Sequence, residues 1–584
     1  MEEVIFEGID GHAIQIAAKN VFGSGGPTKV DADLMKHVLC SKHFGKSGKL
    51  SLDLAEEVAT ATRRLCVEEV PYHYFDLLLG GRLVPLMKED DGVRPIGIGE
   101  VLRRIMGRSV AKLLGLDIQL AGGALQTCTG VEAGIEAAIH AMAQIFEKDD
   151  CEAVLLVDAD NAFNRLNRKE ALNNIKQQCP PLFQFLNNTY KQPAKLHLED
   201  GSYILSKEGA TQGDPLAMPM YSISTRNIIE DLKEKVKEIA QVWFADDSSG
   251  AGELEKLKLW WDRLNVVGPK NGYHPKPSKT YLIVKSQDLF EKARVIFETD
   301  GLQEDDIKIT SFGKRHVGAA LGCDDFKTEF IKKKVEKWTG DVIEIANIAK
   351  EEPQAALSAY NTGLSQRWTF VQRTMKGIAP LFMPIEDAIR ETLIPALIGR
   401  HVSDLERRIL ALPYRYGGMG IRDPVQSADG EYQASLKVTQ LLADLIVRQV
   451  TDLSLLDRDK VKELKQEAKH EKEARFAMEE AAIAIQLDEK SKRLLKCAQE
   501  KGASAWLSAL PLKRLGYTIN KQEFRDAVAL RYGWSVPEMP DYCACGKKNS
   551  VDHAMICKRG GMSICGTMLL ETRKRSFLVR CALM

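Results

Sequence analysis

Pairs of adjacent aspartates occur at five places in the chain, and one pair differs from the others in what precedes it. The pairs occupy 90–91, 149–150, 246–247, 305–306 and 324–325. Four of them stand in polar surroundings and are interpreted as loop acids. Asp246 and Asp247 follow the apolar run 241–245, which predicts that they project from the end of a buried strand. Asp158 follows a second apolar run, 153–157, in the same way.

Two such strands in one sheet would bring three carboxylates together. Carboxylates clustered against an apolar sheet repel one another and are poorly solvated, so they need a compensating cation. Hard oxygen ligands of this kind suit Mg²⁺ or Mn²⁺. Two such ions about 4 Å apart can activate an attacking hydroxyl and stabilise the leaving oxygen of a phosphoryl displacement. The acids therefore predict a divalent-metal site for phosphoryl transfer.

A second group of possible metal ligands lies near the C-terminus. Cys543, Cys545, His553 and Cys557 give the pattern C-x-C-x₇-H-x₃-C. Four soft ligands so closely spaced fit a closed tetrahedral Zn²⁺ site, which would supply much of the folding free energy of so short a segment. The alternative is a set of unrelated buried cysteines.

The elements that would position these residues can be predicted from the apolar pattern. Residues 82–98 predict two strands around the turn 90–92, and a helix should follow from Gly99 to about Leu114. Residues 280–285 predict a further strand, whereas helical patterns dominate from about 329 onward. Residues 457–500 are rich in Lys, Glu, Ala and Leu and predict one or two long charged helices. The change from mixed α/β to mostly α is the main predicted domain boundary.

Composition excludes several classes of protein. The 584 residues are 44% hydrophobic and 28% charged, which is close to the globular average. This composition excludes a protein that is disordered or fibrous over its whole length. No apolar run reaches the 18 or so residues of a membrane helix. The first 15 residues also lack the basic region followed by an apolar core that is typical of a secretory leader. We therefore expect an intracellular protein without a membrane partner, in the nucleus, the cytoplasm or both. The 12 cysteines are expected to be reduced thiols.

Bulk charge gives no sign of a polyanionic partner, because Lys plus Arg and Asp plus Glu each number 81. Local charge differs, since between residues 94 and 112 basic side chains outnumber acidic ones by four. The cations there are Arg94, Arg103, Arg104, Arg108 and Lys112, against Glu100. Such clusters are commonly solvated faces, but the positions beside the acidic motifs favour a binding role.

Three short motifs together resemble the palm motifs of a retroelement reverse transcriptase, in the family's order. They are Val157-Asp158-Ala159-Asp160-Asn161-Ala162-Phe163-Asn164, Thr211-Gln212-Gly213-Asp214-Pro215-Leu216 and Phe244-Ala245-Asp246-Asp247. Arg94-Pro95-Ile96 resembles the fingers motif, and Pro277-Ser278-Lys279-Thr280 and the segment 313–318 resemble the lysine motif and the primer-gripping hairpin. The resemblance covers 10–325 well and 326–560 more loosely. It implies an α/β right-hand polymerase with an antiparallel palm sheet.

By this resemblance, Asp158 and Asp246 would ligate both metal ions and Asp247 would complete the acidic cluster. Phe163 matches the position whose ring lies under the incoming sugar, where a 2′-hydroxyl would collide with it. RNA-copying RNA polymerases usually carry a small or polar residue there and a glycine before the two acids. Phe163 and Ala245 therefore favour synthesis of DNA. The alternative for Phe163 is an ordinary core aromatic residue.

The resemblance also assigns nucleotide-binding residues. Arg94 would offer its planar guanidinium to the triphosphate, and its alternative is a surface arginine. Gln212 and Gly213 would let the backbone approach the template–nucleotide pair, although Gly-Asp-Pro is also compatible with a plain turn. Lys279 would contact the pyrophosphate or protonate it, and its alternative is a solvated loop lysine.

The C-terminal cysteines and histidine are similar to the knuckle that follows the polymerase in non-LTR retrotransposons with a restriction-like endonuclease. That family places a nuclease after the knuckle, and the 24 residues after Gly560 contain no plausible set of nuclease carboxylates. We therefore expect a copy truncated before the endonuclease. The implied domains are fingers and palm at 1–325, helical thumb at 326–455, helical linker at 456–540, zinc knuckle at 541–560 and basic tail at 561–584.

The resemblance implies an RNA-directed DNA polymerase that extends a primer 3′-hydroxyl with deoxynucleoside triphosphates. Its partners would be an RNA template and a DNA primer, held through phosphates by thumb residues Arg367, Arg373 and Lys376. The first alternative is an inactive retroelement remnant that binds RNA or DNA without synthesis. A zinc-folded interaction protein is a further alternative, and it leaves the palm motifs unexplained. The oligomeric state is not predicted.

Overall fold

The computed structural model describes residues 5–41, 49–87, 93–211, 213–298, 306–536, 540–550, 553 and 557. The chain divides into two compact units. Unit 1 comprises Met1–Cys323 and Thr439–Val461, and unit 2 comprises Asp324–Val438 and Lys462–Met584. The return of 439–461 to unit 1 has no signal in the sequence.

Unit 1 contains all the strands that the structure describes, together with a set of helices. The strands are β1 (Gly81–Met87), β2 (Val93–Gly99), β3 (Ala153–Val157), β4 (Ala194–His197), β5 (Tyr203–Ser206), β6 (Ala240–Phe244), β7 (Asp247–Gly252), β8 (Tyr281–Val284), β9 (Lys308–Thr310), β10 (Gly313–His316) and β11 (Ala319–Gly322). The helices are α1 (Gly11–Lys19), α2 (Ala32–Cys40), α3 (Lys49–Val67), α4 (Asp76–Leu79), α5 (Val101–Leu113), α6 (Gly115–Gly122), α7 (Gly134–Glu147), α8 (Ala162–Arg165), α9 (Arg168–Gln178), α10 (Pro180–Tyr190), α11 (Ala217–Lys235), α12 (Leu254–Val267) and α13 (Gln287–Ile296).

The larger sheet of unit 1 has the strand order β6-β7-β3-β8-β9. β3 pairs in antiparallel fashion with β7 on one side and β8 on the other, and it is buried along nearly its whole length, as its apolar run predicts. β9, however, pairs with β8 in parallel. The expectation of an antiparallel sheet is therefore wrong at this edge. The connection from β8 to β9 contains helix α13, and a parallel pair needs a crossover of this kind.

The predicted elements around this sheet are confirmed. β1 and β2 are antiparallel neighbours in a second sheet of order β2-β1-β4-β5, helix α5 follows them, and β8 lies within 280–285. The predicted turn at 90–92 lies outside the described residues. β10 and β11 form a separate two-stranded hairpin. The mixed α/β fold class is thus confirmed for unit 1.

Segment 439–461 contributes to the core of unit 1 and covers the edge strand β6. Ile446 and Leu453 are fully buried in that core. The side-chain amide of Gln449 accepts a hydrogen bond from the N–H of Gln241 at 2.9 Å and donates to its carbonyl at 2.9 Å. An amide group can replace a strand partner in this way, so the outer backbone groups of Gln241 are satisfied.

The regular secondary structure of unit 2 is helical in its described residues apart from an isolated bridge between Tyr542 and Lys548, in agreement with the change predicted near 329. Its helices are α14 (Asp324–Ala349), α15 (Pro353–Ala359), α16 (Ser365–Thr374), α17 (Met383–Ala388), α18 (Ile394–Ile398), α19 (Asp404–Ala411), α20 (Pro424–Val447), α21 (Arg458–Gln486), α22 (Glu489–Gln499), α23 (Ala505–Ser508) and α24 (Lys521–Tyr532). The end of α20 and the start of α21 belong to unit 1. Trp338 packs with Trp368 and Phe382 in the core of unit 2, at ring-centroid distances of 6.2 and 6.5 Å. Within the described residues, no helix combines the length and apolar character needed to cross a membrane.

Candidate active site

The ends of β3 and of the β6–β7 hairpin form one acidic edge of the larger sheet. The strand register pairs Val157 of β3 with Ser248 of β7. The next residues along these strands, Asp158 and Asp247, therefore come at the same end of the sheet. Asp246 lies in the tight turn that joins β6 to β7. The structure thus brings together the three acids that the apolar runs indicated.

The turn that carries Asp246 depends on a residue that the sequence did not point to. Ala245 has a φ of 57°, in the left-handed region that costs a non-glycine residue about 1–2 kcal/mol. The buried side-chain amide of Gln126 accepts from the N–H of Ala245 at 2.9 Å and donates to its carbonyl at 3.1 Å. Gln126 reaches the turn because its own backbone pairs with Trp243 beside β6. Gln126 therefore acts as a positioning residue for the acidic turn.

Burial and mutual repulsion act on the carboxylates of this acidic edge. Burial, followed by the neighbouring carboxylates of Asp246 and Asp158, raises the pKa of Asp247 to about 6. Arg315 of β10 lies close enough to oppose this shift. Lys279 Nζ lies 3.6 Å from an Asp158 carboxylate oxygen, and both side chains are about half exposed. Partly buried carboxylates that repel one another fit a site for divalent cations, because such ions prefer oxygen ligands and cancel the repulsion.

Hydrogen bonds to main-chain carbonyls fix the backbone at the acidic edge. The hydroxyl of the buried Tyr273 donates to the Asp246 carbonyl at 3.0 Å and lies 2.8 Å from the Ser248 hydroxyl. The N–H of Lys276 donates to the Asp158 carbonyl at 3.0 Å. Tyr273 is a second positioning residue that the sequence did not reveal, since an isolated tyrosine before a loop carries no signal of its own.

Phe163 lies beside the acids in the single helical turn α8. Its half-buried ring stacks on Tyr221 of α11, with centroids 4.5 Å apart and planes 23° from parallel. Burial raises the pKa of Tyr221, and Asp246 and Asp247 lie near enough to add to this effect. The Tyr221 hydroxyl makes no hydrogen bond within the described residues. The stack of Phe163 on Tyr221 therefore adjoins the carboxylates, as a sugar-contacting position requires.

The loop before α11 is held by a buried arginine. Arg168 donates to the carbonyls of Gly209, Ser206 and Glu208 at 2.7, 2.7 and 3.1 Å. A Cβ on Gly209 would come within 2.5 Å of the Phe163 carbonyl oxygen, so only glycine fits here. This anchoring fixes the start of the loop that continues to Gln212 and Gly213.

The same loop ends in a buried ion pair. Arg103 Nη2 lies 2.6 Å from Asp214 Oδ2, and these side chains are only 5% and 8% exposed. The Tyr190 hydroxyl donates to the same oxygen at 2.8 Å, and the N–H of Leu216 donates to Asp214 Oδ1 at 2.9 Å. The triad of Arg103, Tyr190 and Asp214 therefore fixes the loop that carries Gly213.

These contacts remove Arg103 and Arg104 from the basic cluster predicted at 94–112, whereas Arg108 and Lys112 are exposed, and a binding role for the cluster stays a prediction. Arg103 forms its ion pair with Asp214. Arg104 donates to the carbonyls of Phe22 and Ser24 at 3.0 and 2.6 Å. Both guanidinium groups donate within the fold through their Nη atoms, whereas the buried Nε of each has no hydrogen-bond partner within the described residues.

A nucleotide-binding role is also predicted for Arg94, Gln212, Gly213 and Lys279. Arg94 lies in β2, but its side chain is outside the described part of the structure. Gln212 also lies outside the described residues, and Gly213 has a φ of 86°. Lys279 lies at the acidic edge. The nucleotide-binding roles of all four residues stay predictions.

The three predicted thumb residues lie on or beside helix α16 of unit 2. Arg367 pairs with Asp341 at 3.0 Å and keeps 59% of its side chain exposed. Arg373 lies 4.0 Å from Glu431, and Lys376 is exposed. Their role in nucleic-acid binding stays a prediction.

The C-terminal cysteines and histidine converge in space. The candidate ligand atoms of Cys543, Cys545, His553 and Cys557 all lie within 4.8 Å of one another. Cys543 and Cys545 stand on a tight turn in which the N–H of Gly546 donates to the Cys543 carbonyl at 2.8 Å. The N–H of Cys557 donates to the His553 carbonyl at 2.8 Å. Three thiols and an imidazole at these separations fit a tetrahedral zinc site, whose ligand atoms lie about 2.0–2.3 Å from the ion.

Comparison with known proteins adds only distant likenesses. No protein-family model matches the chain, and no curated protein matches it. Among solved structures, apo telomerase from Candida tropicalis truncated from its C-terminal domain is similar at 13% identity and a TM-score of 0.28, over 35% of this chain and 50% of that one. Apo telomerase from Candida tropicalis is similar at 10% identity and a TM-score of 0.36, over 67% of this chain and 68% of that one. The chain thus spans half the length of the first of these structures.

Proposed function

We propose that the chain is a retroelement RNA-directed DNA polymerase with a right-hand arrangement of fingers, palm and thumb. It extends a primer 3′-hydroxyl on an RNA template with deoxynucleoside triphosphates. The observation that carries this proposal is the acidic edge, where Asp158, Asp246 and Asp247 adjoin the stacked ring of Phe163. The larger sheet of unit 1 is the palm, unit 2 contains the thumb and linker, and the Cys₃His cluster is a structural zinc knuckle.

The acids fit a pair of Mg²⁺ ions by the chemistry of their oxygen donors and by the burial and mutual repulsion that raise the pKa of Asp247. Asp158 and Asp246 would hold both ions, and Asp247 completes the cluster. Bound ions of this kind supply activation of the primer hydroxyl and neutralisation of charge on the phosphates. Lys279, 3.6 Å from Asp158, places a proton donor and a positive charge where the pyrophosphate would leave.

Phe163 selects the sugar by exclusion. Its ring cannot retreat, because it stacks on the buried Tyr221, and a ribose 2′-hydroxyl would overlap with it. We predict that Phe163→Ala incorporates ribonucleotides at least about tenfold better relative to deoxynucleotides, whereas binding of the primed template stays unchanged. Incorporation from mixed nucleotide pools, resolved on alkaline gels, measures this. Unaltered sugar selectivity would contradict the role of Phe163.

Primer extension on an RNA template with Mg²⁺ tests the proposed function. We expect synthesis by the parent protein and a loss of at least about 100-fold in Asp246→Asn, because even indirect damage to metal ligands costs about 10–100-fold. Asp149→Asn is the matched control, since Asp149 also belongs to an aspartate pair but lies on the exposed surface after α7.

Two results of this experiment would overturn the proposal. Equal synthesis by the parent and Asp246→Asn would remove the acids from the chemistry. No synthesis by either, from folded protein that binds the primed template, would leave the alternative of an inactive remnant that binds nucleic acid.

A further inference from the structure

Unit 2 contains a cavity that the polymerase proposal does not use. Its volume is about 490 Å³, within the range of about 300–1,000 Å³ that is usual for small-molecule sites. Helices α17, α19, α20 and α21 contribute to its wall. Apolar side chains form part of the lining, among them Met383, Leu412 and Phe476, and the rest is strongly charged.

On one side of the cavity, the charges neutralise one another in pairs. Arg407 forms two hydrogen bonds to Glu386, at 2.7 and 2.6 Å, and both side chains are buried. Arg408 Nε donates to Glu479 at 2.7 Å. Arg390 pairs with Asp404. Each guanidinium here has its own carboxylate, so these pairs leave no surplus charge for a ligand.

Around Glu431 the balance is different, because three cations share one carboxylate. Lys472 Nζ donates to Glu431 Oε1, Arg422 Nη1 lies 3.6 Å from the same oxygen, and Arg373 Nε lies 4.0 Å from Oε2. Burial lowers the pKa of Lys472, and Arg422 and Arg373 lower it further against the attraction of Glu431. One buried carboxylate is therefore outweighed by the cations around it.

A fourth cation, Arg475, lines the cavity without a partner. It follows Lys472 by one turn of α21, and it makes no hydrogen bond or ion pair within the described residues. Its guanidinium lies over Gly430 of α20, where an added Cβ would come 1.7 Å from Nη1. A glycine inside a helix costs about 1 kcal/mol relative to alanine, and at this position the missing side chain leaves room for the guanidinium.

Asp423 adds a second negative charge at this end of the cavity, and its carboxylate accepts hydrogen bonds from the N–H groups of Val425 and Gln426 at the start of α20. Among the lining residues at this end, the cations Arg422, Lys472 and Arg475 still outnumber the carboxylates of Glu431 and Asp423. Asp387 is the further lining acid, and it is exposed. Arginine and lysine donors that converge beside apolar surface are the chemistry that recognises a phosphate group on a small molecule.

We propose that the cavity beside Glu431 binds a phosphate-bearing small molecule, with Arg422, Lys472 and Arg475 as its phosphate contacts. The shared chemistry is a phosphate or pyrophosphate group. A free polyphosphate would use the cations alone, whereas a phosphate ester would also use the apolar wall that includes Phe476.

Isothermal titration of the full chain tests this site, with inorganic pyrophosphate and phenyl phosphate as the two probes. No divalent metal is added, so that the acidic edge of unit 1 repels both anions. We expect Arg475→Gln to weaken binding about tenfold or more, because it removes a charge-assisted contact. Gly430→Ala should weaken binding as well, since its methyl group displaces the guanidinium, and it should retain the fold because alanine favours a helix.

Lys469→Gln is the matched control, because Lys469 is an exposed cation on the same helix away from the cavity, and its binding should equal that of the parent. Tighter binding of phenyl phosphate would identify an ester as the ligand, and tighter binding of pyrophosphate would identify a free polyphosphate. Absence of binding of both probes to the parent would overturn the proposal. Equal binding by the parent, Arg475→Gln and Gly430→Ala would overturn it too.

Discussion

Units 1 and 2 each contain a cluster of like charges, and the two clusters have opposite signs. In unit 1, Asp158, Asp246 and Asp247 meet at one edge of a sheet. In unit 2, cations from α16, α21 and the segment before α20 surround Glu431. In both places burial, with repulsion between like charges added to it, shifts a pKa, upward for Asp247 and downward for Lys472. Each cluster therefore calls for a counterion of the other sign, metal ions in unit 1 and a phosphate in unit 2.

A buried ion pair also accompanies each cluster, and these pairs differ in how well they are compensated. Asp214 of unit 1 receives Arg103, the Tyr190 hydroxyl and a backbone N–H. Glu386 of unit 2 receives Arg407 alone among the groups that donate to it in the described structure, and burial raises its pKa despite that partner. The unit 1 pair fixes a loop of the candidate active site, whereas the unit 2 pair stabilises the wall of a cavity.

The largest effect is expected at the proposed zinc knuckle, because an ion bound there would itself fold the segment. A structural zinc ion contributes about 10–16 kcal/mol of binding free energy in small zinc-binding peptides, and this free energy drives folding. We predict that Cys543→Ser abolishes zinc binding and hydrogen-exchange protection over 540–557, as measured by native mass spectrometry and hydrogen exchange. Cys497→Ser, at an exposed free cysteine, should retain one zinc ion per chain. Retention of zinc by Cys543→Ser would contradict the site.

Breaking either buried ion pair should cost about 3–5 kcal/mol, since it strands a buried carboxylate. We therefore expect Arg103→Met and Arg407→Met to destabilise units 1 and 2 by similar amounts in urea unfolding followed by hydrogen exchange. Only Arg103→Met should also slow primer extension under conditions in which the protein stays folded, because its loop carries Gly213.

Pairing Arg103→Met with Asp214→Leu provides the control for this prediction, because the double variant removes both charges. It should recover part of the lost stability but not the rate of synthesis. A cost below about 1 kcal/mol in Arg103→Met would show that the buried pair does not hold the loop, since exposed pairs fall in that range.

A smaller loss of stability is expected at the turn that carries Asp246. Gln126→Leu should lower the free energy of unfolding of unit 1 by about 1–3 kcal/mol, because the N–H of Ala245 then loses the side-chain carbonyl to which it donates in a buried site. Primer extension should fall as well, since Ala245 then has less support for its left-handed conformation. Gln177→Leu, on the exposed face of α9, should change neither quantity. Normal synthesis by a destabilised Gln126→Leu would limit the role of this amide to stability.

Local sequence was sufficient to predict the acidic cluster, and it could not predict the basic one. Asp158 and Asp247 each adjoin a strand, and a sheet register fixes neighbours once the strands are known. Arg373, Arg422 and Lys472 are separated by about 50 residues at each step, so only helix packing brings them to Glu431. The sequence also did not indicate Gln126 and Tyr190, because their partners lie 119 and 24 residues away. The parallel pairing of β9 also depends on a crossover rather than on any local pattern.

The smallest effect on stability is expected at the thumb surface, where charge should act on binding instead. Arg367 and Asp341 form an exposed pair, and such pairs contribute about 0–1 kcal/mol. We predict that Arg367→Ala leaves the free energy of unfolding nearly unchanged. In a plot of log affinity for an RNA–DNA duplex against log salt concentration, the slope should fall by about one, because one phosphate contact is lost. Arg294→Ala, which breaks an exposed helical ion pair in unit 1, should leave that slope unchanged. Equal slopes for Arg367→Ala and the parent would contradict the assignment of this residue to the duplex, and would leave the cations of unit 2 with the cavity beside Glu431 as their site of action.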